Sequence, residues 1–261
     1  LPHIKTSILS EIRPSQDSQI PKLFLFDIQP EQVETLQNIS KNFFKSELQL
    51  SPLVRSRILK INSEAYERVA QEDRFQTREA ETEARFRNRG VNLSYRSILQ
   101  DSEKIEDGVF VGQHAKDDTL PQISIEKSYA ERIGLKMGDS MTFDVQGIPV
   151  VGRVTSFRHV RWASFQPNFF ILFPTGVLEE APQSFLASVT SQHLKGLNAE
   201  EKAIIKSFQQ TVASQLKNVS IIDVTKTLEN LLKYIEQMSL GLQMMAWLAV
   251  FVGLFVFIIL L

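Results

Sequence analysis

The chain has 261 residues, with 29 basic and 30 acidic side chains, so its net charge is close to zero. This balance disfavours a nucleic-acid-binding surface, which needs an excess of Lys and Arg. Cysteine is absent, which excludes disulfide bonds and thiolate metal sites and is compatible with a bacterial periplasm.

The first predicted elements form a β-α-β unit. Residues 23–28 are apolar and rich in Phe and Leu, which is typical of a strand. Pro30 suits the first turn of a helix, and apolar residues then recur at helical spacing as far as Phe44. Residues 53–61 follow Pro52 as a second strand.

A second unit of the same kind lies much later in the chain. Residues 185–190 and 219–224 have strand character, and Asn198 with Glu201 predicts a capping box at the start of the helix between them. One face of that helix is expected to be apolar, formed by Ile204, Ile205, Phe208, Val212 and Leu216.

Two β-α-β halves separated by a long insertion predict an α+β fold. Residues 1–62 and 182–224 are expected to form one split β-α-β/β-α-β lobe, with residues 63–181 inserted as a second lobe. Within the insertion, the charge-rich residues 63–90 predict a solvated helix or loop. Residues 91–181 are expected to be β-rich.

Two short segments of the insertion contain residues that predict a specific local structure. A short helix is predicted over residues 127–133, because Gly134 follows as a typical helix C-cap. Gly138 and Asp139 predict a turn before a strand at residues 141–145.

The C-terminal part predicts a stalk and a membrane span. After Thr225, an expected helix N-cap, a stripe of apolar residues continues into residues 239–261, a 23-residue run without a charged side chain. A hydrocarbon core of about 30 Å needs about 20 apolar residues, and a buried core helix rarely stays apolar on every face for that length. We therefore expect a stalk and truncated transmembrane helix over residues 225–261, in a piece of a longer membrane protein. The stalk residues are Leu228, Leu231, Leu232 and Ile235.

No motif in the chain predicts catalysis. The four His residues are far apart and match no metal-binding pattern. His159, flanked by Arg158 and Arg161, is interpreted as structural. Glu126 and Asp139 could be paired carboxylates, but helix capping and turn formation explain them better. We therefore expect no catalytic, cofactor or metal site, and a chain that is not an enzyme.

An aromatic cluster leaves two interpretations open. Its members could be core between the two lobes, or some could face a groove for an apolar ligand or a partner, since binding pockets favour such residues beside a few polar groups. The cluster comprises Trp162, Phe165, Phe169, Phe170 and Phe173.

Several segments spread over residues 23–261 together suggest a family. They are residues 24–33, 52–57, 123–126, 130–139, 154–158 and 165–174, the last with the sequence Phe-Gln-Pro-Asn-Phe-Phe-Ile-Leu-Phe-Pro. In these segments the chain resembles the second large periplasmic domain of YbbP-like ABC transporter permeases, in the FtsX/MacB/LolC superfamily. Ser56 and Gln166 depart from the pattern, which usually has Gly and Arg there.

The resemblance implies porter-like and sabre-like lobes in a bacterial inner-membrane permease, facing the periplasm or the cell exterior. It implies a dimeric cytoplasmic ABC ATPase partner that uses ATP and Mg²⁺, and coupling by mechanotransmission through the stalk. The YbbP-like branch is associated with extracting hydrophobic, lipid-like compounds from the membrane and passing them to a periplasmic esterase or thioesterase. FtsX-type relatives instead activate envelope enzymes without transporting cargo, so a regulatory interaction domain is the alternative.

Overall fold

The computed structural model describes residues 20–44, 48–66, 78, 88–115, 117–164, 166–191 and 199–260. The strands within these ranges are β1 (Ile20–Ile28), β2 (Gln49–Ile61), β3 (Glu64–Ala65), β4 (Val91–Tyr95), β5 (Glu103–Gly108), β6 (Gln122–Glu126), β7 (Ser140–Val145), β8 (Ile148–Val160), β9 (Ile171–Phe173), β10 (Ser184–Ser191) and β11 (Ser220–Asp223). The α-helices are α1 (Val33–Phe44), α2 (Lys127–Ile133), α3 (Ala199–Gln215) and α4 (Val224–Leu260). The predicted mixture of helices and strands is confirmed.

Four strands form a split β-α-β arrangement. They lie in the order β11-β1-β10-β2, and each neighbouring pair is antiparallel. Consequently β1 is parallel to β2, and β10 is parallel to β11, with one strand between the members of each pair. The two β-α-β units, β1-α1-β2 and β10-α3-β11, are therefore interleaved in one sheet.

Helices α1 and α3 pack together over this part of the sheet. Phe208 of α3 is fully buried and contacts Phe43 and Phe44 of α1 edge-on, with ring centroids 5.9 and 4.9 Å apart. The expectation that Ile204 shares this buried face is wrong, because its side chain is 41% exposed. The buried face consists of Ile205, Phe208, Val212 and Leu216, which recur at helical spacing. Ile204 lies about 100° around the helix from Ile205 and is therefore outside this face.

Strand β2 joins this region to the insertion. Its first residues pair with β10, Val54 pairs with Leu93 of β4, and Arg57 pairs with Asp144 of β7. The sheet then continues in the order β4-β9-β6-β8-β5. A second apolar core lies on one face of these strands, and its fully buried members include Val54, Leu93, Ile125, Phe143 and Phe173.

The local signals in the insertion are confirmed. Helix α2 spans Lys127–Ile133, and Gly134 ends it with a φ of 73°, in the left-handed region. The Glu126 side chain caps the helix by accepting a hydrogen bond from the Tyr129 N–H at 2.7 Å. Asp139 accepts from the Lys136 N–H, also at 2.7 Å, so both carboxylates have the structural roles expected of them.

Helix α4 starts directly after the edge strand β11. Asp223, the last strand residue, accepts a hydrogen bond from the Lys226 N–H at 2.9 Å and is the N-cap. The expectation that Thr225 is the N-cap is therefore wrong, because the helix already begins at Val224, whose side chain is buried.

Some expectations fall outside the described residues. The side chains of the four stalk residues are among these, as are several side chains of the apolar run at 239–261, so the stalk and the membrane span stay predictions. Within the part of the chain that the structure describes, no helix has both the length and the apolar character to cross a membrane. Most of residues 63–90 and Asn198 also lie outside the described ranges.

Candidate functional site

The five aromatic residues of the predicted cluster lie in different environments. Phe173 is fully buried in the core of the insertion, where its ring meets Phe143 edge-on at 5.6 Å, and Phe169 is also buried. Trp162 and Phe170, in contrast, are 47% and 39% exposed. Phe165 lies outside the described residues. The cluster is thus partly core and partly surface.

The two exposed rings, Trp162 and Phe170, are in contact, and Phe170 also lies against the buried ring of Tyr129. The ring centroid of Phe170 lies 4.7 Å from that of Trp162 and 4.8 Å from that of Tyr129, with the Tyr129 and Phe170 rings stacked. A tyrosine hydroxyl is already neutral at physiological pH, and burial raises the pKa of Tyr129 further. We call Trp162 and Phe170 the aromatic surface; its uncharged faces are suited to contact with apolar groups.

The aromatic segment, residues 162–170, connects β8 to β9 and is fixed by a buried arginine. Arg158 of β8 is fully buried, and its Nη2 donates to the backbone carbonyl of Phe169. Its Nη1 donates to the Ser124 carbonyl at 2.6 Å, and its Nε donates to Glu103 Oε1 at 3.1 Å. One side chain thus ties three strands to the aromatic segment.

A second arginine binds the same carboxylate. Arg96 Nη1 donates to Glu103 Oε2 at 3.2 Å, and its Nη2 donates to the Pro167 carbonyl at 3.3 Å. The Phe170 carbonyl accepts from the backbone N–H of Glu126 at 2.8 Å. Three carbonyls near the end of the segment are therefore bonded to the sheet or to its arginines.

Asn168 organises the interior of the segment. Its Oδ1 accepts from the Ser102 hydroxyl at 2.9 Å, and its Nδ2 donates to the Ser164 hydroxyl at 3.1 Å. The Ser102 carbonyl in turn accepts from the Arg161 N–H at 2.8 Å. Hydrogen bonds therefore attach the segment to Ser102 at Asn168 and, just before its first residue, at Arg161.

Sequence reasoning missed Arg158 because a register shift changes the face on which it lies. In a regular strand, residues three apart lie on opposite faces. Val154 and Phe157 nevertheless both pack on the apolar core, because the register between β8 and β6 shifts by one residue near Thr155. Arg158 consequently faces the opposite side of the sheet. His159, the residue considered as a possible base, is exposed.

The rest of the described surface carries ion pairs but no grouping typical of catalysis. Arg57 pairs with Asp144, and Lys127 Nζ lies 2.6 Å from Glu106 Oε2. An open depression of about 440 Å³ lies beside the first pair, next to Gly147. Across the described ranges, no three His, Asp or Glu side chains are grouped closely enough to hold a metal ion.

Comparisons with known proteins link the chain to transporters. It is 30% identical over 184 residues to the ABC transporter permease YbbP of Escherichia coli strain K12. The chain is similar to an ABC transporter permease. The match covers 68% of this chain, and the chain spans only about a fifth (20%) of the length of that relative.

No family model matches the chain. A solved domain of a protein described as a putative permease from Porphyromonas gingivalis has a TM-score of 0.35 and 9% identity, over 80% of this chain and 90% of that one.

Proposed function

We propose that this chain is an extracytoplasmic domain of an ABC transporter permease, and that helix α4 couples the domain to ATP hydrolysis in a separate subunit. The similarity to an ABC transporter permease supports the general role. The proposed coupling is supported by the direct junction of β11 and α4, since no linker residue separates Asp223 from Val224.

A junction of this kind transmits displacement. Helix α4 has 37 residues, so it extends over about 55 Å at 1.5 Å per residue. Its first residue, Val224, is buried, and β11 is hydrogen-bonded to β1 along its length. A shift or tilt of the helix would therefore act on the sheet rather than be absorbed by a flexible linker.

The proposed cargo is a hydrophobic, lipid-like compound of the inner membrane. Trp162 and Phe170 offer exposed aromatic faces, and the segment that carries them is held by buried polar contacts. A rigid apolar platform on a moving domain is suited to holding an alkyl chain during transfer. A periplasmic esterase or thioesterase would then receive the compound.

In the proposed transporter, ATP hydrolysis takes place in a separate subunit. A dimeric cytoplasmic ABC ATPase would bind ATP and Mg²⁺, and this chain would act as a permease subunit without a catalytic site of its own. In this scheme the domain faces the periplasm, and α4 leads toward the inner membrane.

A matched pair of insertions tests the coupling. Seven residues placed after Leu232 add about two helical turns if they are helical, which keeps the faces of α4 nearly in register. In the full-length permease with its ATPase, an Ala-rich insertion should retain export that depends on ATP hydrolysis. A Gly-rich insertion of equal length should abolish export while hydrolysis continues, because Gly breaks the continuity of the helix.

Equal export by the two insertion variants would contradict mechanical coupling. The regulatory alternative, in which the domain activates an envelope enzyme, also needs an intact helix but transports nothing. It is favoured if the parent exports no lipid and the Gly-rich insertion abolishes activation of a cell-wall hydrolase.

A further inference from the structure

We propose that Glu103 is the positioning residue of the aromatic surface, acting through Arg96 and Arg158 on the aromatic segment. This inference deepens the proposed function and rests on it only for the ligand that the surface would bind. The arrangement itself is a buried carboxylate between two arginines, each of which reaches a backbone carbonyl of the same segment.

Both oxygens of the carboxylate are occupied. Oε1 accepts from Arg158 Nε at 3.1 Å, and Oε2 accepts from Arg96 Nη1 at 3.2 Å and from the Gln100 N–H at 3.1 Å. The side chains of Glu103 and Arg158 are fully buried, and that of Arg96 is 11% exposed. Burial is the main influence on both guanidinium groups and lowers the pKa of each.

Arg96 and Arg158 connect the Glu103 carboxylate to the backbone of the aromatic segment. A guanidinium group is planar, so fixing one of its nitrogens on a carboxylate sets the direction of the others. Arg96 then reaches the Pro167 carbonyl and Arg158 the Phe169 carbonyl, on either side of Asn168. Phe170 follows at once; its ring is stacked on Tyr129 and tilted by 49° against Trp162. Glu103 thus sets, through the two arginines, the backbone that leads into Phe170, the ring that Trp162 contacts.

A positioning role explains why charges are buried here. Apolar residues of similar size often replace a buried ion pair without loss of stability, so stability alone is a weak reason for such a pair. Directional bonds from two arginines to two carbonyls, in contrast, select one conformation of a segment that has no regular secondary structure between residues 166 and 170.

The tryptophan content of the chain allows a direct test. Only two Trp residues are present, so Trp247→Phe leaves Trp162 as the single tryptophan in the full 261-residue chain in detergent, and its emission is excited selectively over that of the four Tyr residues. In that background, Glu103→Gln should increase acrylamide quenching of Trp162 and shift its emission to the red, with circular dichroism retained. Glu106→Gln is the matched control on the same strand, where the carboxylate is paired at the surface, and it should leave Trp162 unchanged.

Unchanged quenching in a folded Glu103→Gln chain would overturn the inference. If that variant does not fold, Arg96→Lys decides, because Lys keeps a cation beside Glu103 but lacks the fork that reaches Pro167. Increased quenching in Arg96→Lys supports the positioning role, and parental quenching overturns it. The assay contains no cargo and no ATPase, so failure of the proposed function leaves its result unaffected.

Discussion

Arg158 and Glu103 show how a charged side chain can shape an apolar surface at a distance. Neither side chain is exposed, yet the hydrogen bonds of Arg158 place the backbone immediately before Phe170. A pair 55 residues apart in sequence cannot be recognised from spacing. Gly134 and Asp139, in contrast, act on their own neighbours, and the sequence predicts both correctly.

Asp144 gives a pH-dependent prediction at the same scale. The hydrogen bond from Arg57, followed by that from the Gly147 N–H, lowers the pKa of Asp144 below its ordinary value. A carboxyl group with a lower pKa in the folded state stabilises the fold above its unfolded pKa of about 4 and loses this effect as the pH falls through the folded value. Asp144→Asn should therefore lower the urea midpoint at pH 7, and the difference from the parent should vanish at strongly acidic pH.

The control for this measurement is Asp101→Asn, at an exposed turn. We expect it to leave the urea midpoint nearly unchanged at both pH values. A difference between Asp144→Asn and the parent that stays constant as the pH falls would contradict the role of the Arg57 ion pair.

Elements with a strong periodic pattern are the ones that the sequence predicts best. Helices α1 and α2 lie where the apolar spacing and the Gly134 signal place them. Strand β2 is longer than expected, because Pro52 lies inside it opposite Phe185 instead of preceding it. The sequence misplaces the start of α4, because Asp223 both ends a strand and caps a helix, and the strand pattern hides the second role.

The helix start gives a prediction at the scale of the element. Asp223→Ala should lower the free energy of unfolding by about 1 kcal/mol, since it removes the acceptor for the Lys226 N–H and a negative charge at the helix N-terminus. Thr225→Ala lies within the first turn and should cost less. Chemical denaturation followed by circular dichroism measures both, and an equal or larger loss for Thr225→Ala would contradict the assignment of Asp223 as the cap.

On the scale of the whole molecule, β2 is the connection between the two apolar cores. It pairs with β10 beside the core of α1 and α3, and with β4 and β7 beside the core of the insertion. Displacement of β11 by α4 would pass through β1 and β10 to β2, and from there to the strands around the aromatic segment. This hydrogen-bonded path is the route by which the proposed mechanical coupling would reach the aromatic segment. The sequence predicts the two β-α-β units, but it cannot show that their strands interleave or that one 13-residue strand serves both cores.

The most direct test of the whole account is photocrosslinking from position 162. Trp162→p-benzoylphenylalanine in the full-length permease, with its ATPase in native membranes, would be irradiated with and without ATP and the adducts identified by mass spectrometry. Arg153, exposed on β8, is the matched control position. We predict lipid adducts at position 162 whose yield changes with ATP turnover and which exceed those at position 153. Lipid adducts no more abundant at 162 than at 153, in either state, would contradict the account, and protein adducts in their place would favour the regulatory alternative.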